Sequence, residues 1–304
     1  MRPSTTSSIP GSRGRRTAAV LVCAAVIAGA AAAEAPRTVS LQRLVEAVRE
    51  KARVQQDSAG GRLAYRSFLA ANGLAPVHVG AADFAVVRLL FEATRDAGLW
   101  NLRWAITDLE PNSDRIWRQW SAVRHPSAAA PTAVAECDEL SALFAFLARR
   151  AGVRNIGLFW PTSNHTVAAW ELRPPGRRAV RVVVPTTQIF LAESDLFGTR
   201  RFDPWTQRTI YEYTRRDAPD TLQLPASLVD FFLVQLDKYG GATDGALQRL
   251  RYLREGVLQG RLSREQAVAR ALALVSGRGP GAGVDMAAFR TFAADLLASP
   301  AATP

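Results

Sequence analysis

The chain has 304 residues, of which 48% are hydrophobic and 21% are charged, and this composition is typical of a globular protein rather than a disordered one. The formal net charge of +11 comes almost entirely from arginine, because Lys51 and Lys238 are the only lysines and neither follows a glycine-rich phosphate-binding loop. Two cysteines are too few for a disulfide scaffold or for a zinc site made of four cysteines.

Residues 1–33 have the pattern of a secretory signal peptide. Four arginines and no acidic residue occur among the first 16 residues, and an uncharged apolar run over 18–33 ends in three alanines. This order predicts cleavage before Glu34 and export to the periplasm or the extracellular space. An uncleaved membrane anchor is the alternative, although the run is short for a transmembrane helix. We therefore expect no stable membrane association after the signal is removed.

The remaining charge and the short motifs exclude several classes of partner. The arginines are scattered, and no repeat of aromatic and basic residues typical of RNA-binding proteins is present, so we expect no nucleic-acid partner. Neither His-Glu-x2-His nor Cys-x2-Cys occurs, and the glycines of 277–283 follow a helical pattern with no strand before them. The sequence therefore predicts neither a metal site nor a cofactor.

Helical periodicity characterises two regions on either side of the middle of the chain. Residues 34–124 form a predicted N-terminal helical region, in which apolar side chains recur every third or fourth position, as in 41–48. Residues 225–304 form a predicted C-terminal helical region, in which Ser263 and Gln266 have the spacing of a capping box.

The region between them, residues 125–224, is predicted to contain one helix with a cysteine at its start. The helical pattern begins at Cys137 and stops at Gly152, and the cysteine occupies the leading end of the buried stripe. Unpaired N–H groups and the positive end of the helix dipole favour a thiolate there, so Cys137 is a candidate nucleophile. The alternative is an ordinary core cysteine, since free cysteines are commonly buried.

Three short runs rich in β-branched and aromatic residues follow this helix and predict an antiparallel meander. They cover 154–160, 165–172 and 179–184 and are separated by turn-forming residues. The period of two places His165 on the face of the second strand formed by its odd-numbered residues. If that face covers the Cys137 helix, the histidine meets the thiol. A structural or surface role is the alternative for an isolated histidine.

A longer motif starts at Cys137 and reads Cys-x3-Ser-x-Leu-Phe-x2-Leu-x-Arg-x2-Gly-Val, followed by Asn164-His165 and Trp170-Glu171. With these residues, 136–188 resembles the core of the transglutaminase-like superfamily, which has a papain-like fold. The resemblance implies an α+β protein with a central helix on a small antiparallel sheet, flanked by N- and C-terminal helices. It also implies that Cys137 is a nucleophile and that His165 is its base.

The chain departs from the family pattern on the third strand. Family members usually have an aspartate before a Pro-Thr there, which orients the histidine, whereas this chain has Val184-Pro185-Thr186. Without an acceptor the imidazole can take the wrong tautomer. Thr186 and Gln188 share the parity of Val184, and Gln188 is the better candidate because its longer side chain carries an amide oxygen that accepts from a ring N–H.

The preferred functional prediction is an exported enzyme for cysteine-dependent acyl transfer or amide hydrolysis, either transglutaminase-like or peptidase-like. Its substrate is a peptide or protein amide, its catalytic residues are Cys137, His165 and Gln188, and it needs no cofactor. The alternative is a catalytically inactive transglutaminase-like protein that binds a partner or serves as a scaffold. The missing aspartate favours this alternative, and the order of the cysteine and the histidine opposes it.

Overall fold

The structure is a computed structural model. Residues Pro36–Pro304 form a single structural unit. The structure describes residues 37–96, 98–107, 113–127, 130–162, 165–186, 210–211, 218–239, 250, 253–254, 256–257, 262–275 and 286–298. The predicted signal peptide lies outside them. No helix among the described residues is long and apolar enough to cross a membrane.

Three helices precede the central part of the chain: α1 (Leu41–Asp57), α2 (Ala59–Ala71) and α3 (Ala81–Thr94). The first two begin at serine caps, because the Ser40 hydroxyl accepts from the Arg43 N–H and the Ser58 hydroxyl accepts from the Gly61 N–H. The predicted apolar stripe of α1 is buried. These residues therefore confirm helical structure in the N-terminal region.

Helices also follow the central part of the chain. Among the described residues, a fourth helix, α4 (Asp114–Ala122), precedes the central part, and α6 (Ala226–Tyr239), α7 (Arg264–Val275) and α8 (Met286–Ala298) follow it. The capping box at the start of α7 is confirmed: the Ser263 N–H donates to Gln266 Oε1 at 2.9 Å, and the Gln266 N–H donates to Ser263 Oγ at 3.2 Å.

The described strands form three sheets. The strands are β1 (Thr38–Ser40), β2 (Leu102–Trp104), β3 (Ala133–Ala135), β4 (Ile156–Thr162), β5 (His165–Leu172), β6 (Val180–Val184), β7 (Ile210–Tyr211) and β8 (Gln223–Pro225). The largest sheet has the order β6-β5-β4-β7 and is antiparallel, which confirms the predicted meander. Two small pairs accompany it, β1 with β8 and β2 with β3, and the second pair is parallel.

The helix α5 (Cys137–Arg150) packs between this sheet and α3, and it is buried from Glu139 to Ala148. It ends as predicted at Gly152, whose φ of 99° is in the left-handed region. The Val153 N–H donates to the Ala148 carbonyl across this turn, which is a standard helix-ending arrangement that favours glycine. The protein is therefore of the predicted α+β class.

Candidate functional site

Cys137 is the first residue of α5, and its thiol is half-buried. The backbones of Thr166 on β5 and of Asp138 in the first turn of the helix lie close enough to the sulfur to lower the pKa of the thiol. The sulfur thus lies where the start of the helix meets the start of the neighbouring strand.

The thiol is more strongly held in its neutral form than the sequence predicted. Burial raises the pKa of Cys137, and the carboxylates of Asp138 and Glu136 raise it further, whereas the N–H groups of Thr166 and Asp138 lower it. The prediction that the helix start favours a thiolate is therefore wrong for the resting protein. The acidic residues on both sides of Cys137 and its partial burial outweigh the donors.

Three carboxylates surround the start of α5. Glu136 and Glu139 form a capping box, and the Thr107 hydroxyl donates to Glu139 Oε2 at 3.0 Å. Burial raises the pKa of Asp138 to about 7, and the charge of Glu136 adds to the rise. One oxygen of each carboxylate lies within 4.8 Å of the others, which is close enough to hold a cation. Helix capping accounts for the positions of the two glutamates.

His165 is the first residue of β5 and is 2% exposed. Burial lowers the pKa of its imidazole to about 4, so the ring is neutral at pH 7. The residue immediately after it, Thr166, accepts at its backbone carbonyl from the Ser141 hydroxyl of α5. The predicted base is therefore adjacent in sequence to a β5 residue that contacts the helix of the predicted nucleophile.

The face of β5 that covers α5 is the one with the even-numbered residues. Ala168 and Trp170 belong to the main core together with the residues of α5. Val167 and Ala169 belong to a separate small cluster. The condition under which His165 would meet the thiol, that the odd-numbered face covers the Cys137 helix, is therefore not met. Because side chains alternate between the two faces of a strand, His165 lies on the same face as Val167 and on the opposite face from Thr166.

The same alternation determines on which side of the sheet Val184 and Thr186 lie. Val184 is fully buried in the main core and pairs with Ala168 across β5 and β6. Thr186 shares its parity, and its hydroxyl is bound to Ser141 of α5 at 2.7 Å. Thr186 therefore faces the helix rather than the side of His165. Gln188, the predicted orienting residue, lies outside the described residues.

Two buried hydroxyls, those of Ser141 and Thr186, lie against each other beside β5, whereas the sequence analysis considered Thr186 only as a partner of His165. Ser141 lies one turn after Cys137 on α5, and its hydroxyl donates to the Thr166 carbonyl at 3.3 Å. Ser141 and Thr186 are both fully buried. The sequence contained a signal for both hydroxyls. Ser141 belongs to the Cys-x3-Ser motif, and Thr186 ends the Val-Pro-Thr that stands where the resemblance leads one to expect Asp-Pro-Thr.

No family model, curated protein or solved structure matches this chain.

Proposed function

We propose that the protein is an exported, transglutaminase-like cysteine enzyme that transfers the acyl group of a peptide or protein amide to water or to an amine. The observation that carries the proposal is the place of Cys137, which is half-buried as the first residue of α5. One turn later on α5, the Ser141 hydroxyl contacts the carbonyl of Thr166, the residue that follows His165 on β5. This combination is expected of a nucleophile whose base is supplied by the adjacent strand.

In the proposed reaction, Cys137 Sγ attacks the amide carbon while the imidazole of His165 takes the thiol proton. The carbon–nitrogen bond then breaks, the imidazolium returns the proton to the leaving amine, and a thioester remains on Cys137. Water or a second amine attacks the thioester and regenerates the thiol. A backbone N–H near Cys137 holds the negative charge that develops on the amide oxygen during the attack.

The two pKa values determine how this reaction depends on pH. The pKa of the thiol is raised and that of His165 is about 4, so both groups are neutral at pH 7. The proton must therefore move during the attack, as in a serine–histidine pair, rather than before it. The imidazole accepts a proton only when it is neutral, so turnover is expected to fall as the pH falls through about 4.

A non-catalytic transglutaminase-like binding or scaffold protein is the second candidate, and specific observations favour it. Val184 is fully buried in the main core at the position of the family's aspartate. Alternation along β5 directs His165 away from the α5 side, and the thiol is held neutral. In this candidate, Cys137 is a packed residue, and the helix and sheet serve as architecture.

Amine release from a panel of peptide amides, with and without an added primary amine, separates the two candidates. The enzyme requires that Cys137→Ala abolish release and that His165→Ala reduce it by about 10²- to 10⁴-fold. Thermal unfolding of both variants verifies that they remain folded. Release that is unchanged in Cys137→Ala would exclude Cys137 as the nucleophile.

A further inference from the structure

A cavity of about 210 Å³ lies where the end of α1, the first turns of α2 and the first half of α3 meet. The rings of Tyr65 and Phe84 form part of its wall, with their centroids 5.5 Å apart. Ala81 and Ala85 of α3 also line it, so much of the wall is apolar. An apolar cavity of about 150 Å³ holds one benzene molecule, so this cavity has room for an aromatic ring with a short substituent.

Two arginines line the same cavity from different helices. Arg88 of α3 is 6% exposed, whereas Arg62 of α2 is exposed, and its guanidinium donates to the Asp57 carbonyl. A guanidinium is always charged and has five N–H donors, so a bond to a neighbouring residue leaves donors for a ligand. Asp57, which is exposed, is the single acidic residue among the described lining residues. The lining therefore carries a net positive charge.

The wall of the cavity is held by hydrogen bonds within the protein. The Tyr65 hydroxyl donates to the Val79 carbonyl at 2.6 Å, which fixes the ring. At the corner between α1 and α2, Ser58 Oγ donates to the Gln55 carbonyl at 2.7 Å and accepts from the Gly61 N–H at 2.9 Å. A Cβ at Gly61 would lie 1.8 Å from the Gln55 carbonyl oxygen, so this corner requires glycine. The cavity is therefore preformed, which lowers the entropic cost of binding.

We propose that this cavity binds a small anion with an apolar body, namely an aromatic carboxylate of about the size of phenylacetate. The ring lies against Tyr65 and Phe84, and the carboxylate accepts from Arg88 and Arg62. Arginine suits this role because its planar group donates two parallel N–H bonds to a carboxylate. The proposal goes beyond the function proposed above, and it holds whether or not Cys137 is a nucleophile.

The test is a ligand-observed NMR titration at pH 7 with phenylacetate, phenylacetamide and acetate as probes. Phenylacetate has about ten non-hydrogen atoms and should bind with a Kd of about 0.1–1 mM. Phenylacetamide keeps the ring and loses the charge, whereas acetate keeps the charge and loses the ring. Each of these two probes should bind at least about tenfold more weakly than phenylacetate.

Three variants locate the binding site, and thermal unfolding verifies that each remains folded. Arg62→Gln removes a guanidinium at an exposed position and should weaken phenylacetate binding by about three- to tenfold. Ala85→Leu fills the cavity and should abolish the binding. Arg66→Gln is the matched control, because Arg66 is also an exposed arginine of α2 but is not among the residues that line the cavity. It should leave the Kd unchanged.

A wild-type protein without saturable phenylacetate binding up to about 10 mM would overturn the inference. So would phenylacetamide that binds as tightly as phenylacetate, because the arginines would then not recognise the carboxylate. Binding that is unchanged in both Arg62→Gln and Ala85→Leu would place the ligand elsewhere and would reject this cavity. Cys137→Ala should bind phenylacetate like the wild type, so a failure of the proposed function is distinguishable from a failure of this inference.

Discussion

Asp138 beside the thiol gives a direct test of the electrostatics around Cys137. Its carboxylate follows the cysteine, and its Oδ1 accepts from the Glu139 N–H at 2.9 Å. Asp138→Asn keeps an oxygen for that hydrogen bond and removes the charge. The substitution therefore removes the cost of burying this charge, together with its repulsion from Glu136 and Glu139.

The size of this cost follows from the pKa of Asp138, which is raised from an ordinary 3.8 to about 7. The gap corresponds to about 4 kcal/mol, and solvent screening of this partly exposed group reduces it to about 1–2 kcal/mol. A raised carboxyl pKa means that the folded state retains a proton that the unfolded state has released. The free energy of unfolding of the wild type therefore decreases as the pH rises from about 4 to 7, and the penalty is complete above pH 7.

Thermal or urea unfolding at pH 4 and at pH 8 measures the effect. At pH 4 the variant and the wild type should have nearly equal stability, and at pH 8 Asp138→Asn should be more stable by about 1–2 kcal/mol, or about 2–6 °C. Asp230→Asn, which removes an exposed carboxylate from α6, is the control and should show no such dependence. An Asp138→Asn protein that is less stable than the wild type at pH 8 would refute this account of the acidic group.

The remaining predictions concern the thiol, the histidine and the buried valine. Alkylation of Cys137 should have its midpoint above the roughly 8.5 of a free thiol, and Asp138→Asn should lower it; a wild-type midpoint below 7 would contradict the raised pKa. Because the pKa of His165 is lowered, the free energy of unfolding should be highest above about pH 6.5 and should decrease as the pH falls toward 4. His165→Phe should remove this decrease in acid unfolding experiments. Val184→Asp should lower the free energy of unfolding, measured in urea, by several kcal/mol, because it buries an unpaired charge opposite Ala168. A variant that is as stable as the wild type and more active would show that this position accepts a carboxylate.

The helices and the meander were predictable because local patterns determine them. The start of α5 at Cys137, its end at Gly152 and the capping box of Ser263 follow from residue types at fixed spacing. The strand β7 was not predicted as part of the sheet, because pairing between β7 and β4 joins segments that are distant in sequence. The small parallel pair of β2 and β3 was missed for the same reason.

The site was less predictable, because it depends on which face of β5 covers α5. The alternation of side chains correctly places His165 and Thr166 on opposite faces of β5, but it does not say which of the two faces packs on the helix. The aliphatic and aromatic side chains of Ala168 and Trp170 pack in the main core, and this places Thr166 toward the thiol. The pKa of Cys137 was also misjudged, because the helix dipole was considered without the partial burial of the thiol and the carboxylates beside it.

Acylation of Cys137 by an activated ester tests the central claim most directly, since such an ester requires little specific recognition. The protein is mixed with a peptide p-nitrophenyl ester at pH 8, and the nitrophenolate burst and the intact mass are recorded. The account predicts a burst of about one equivalent, with the acyl group on Cys137, that is absent in Cys137→Ala and much slower in His165→Ala. A wild-type protein that shows no burst, or a burst that persists in Cys137→Ala, would contradict it.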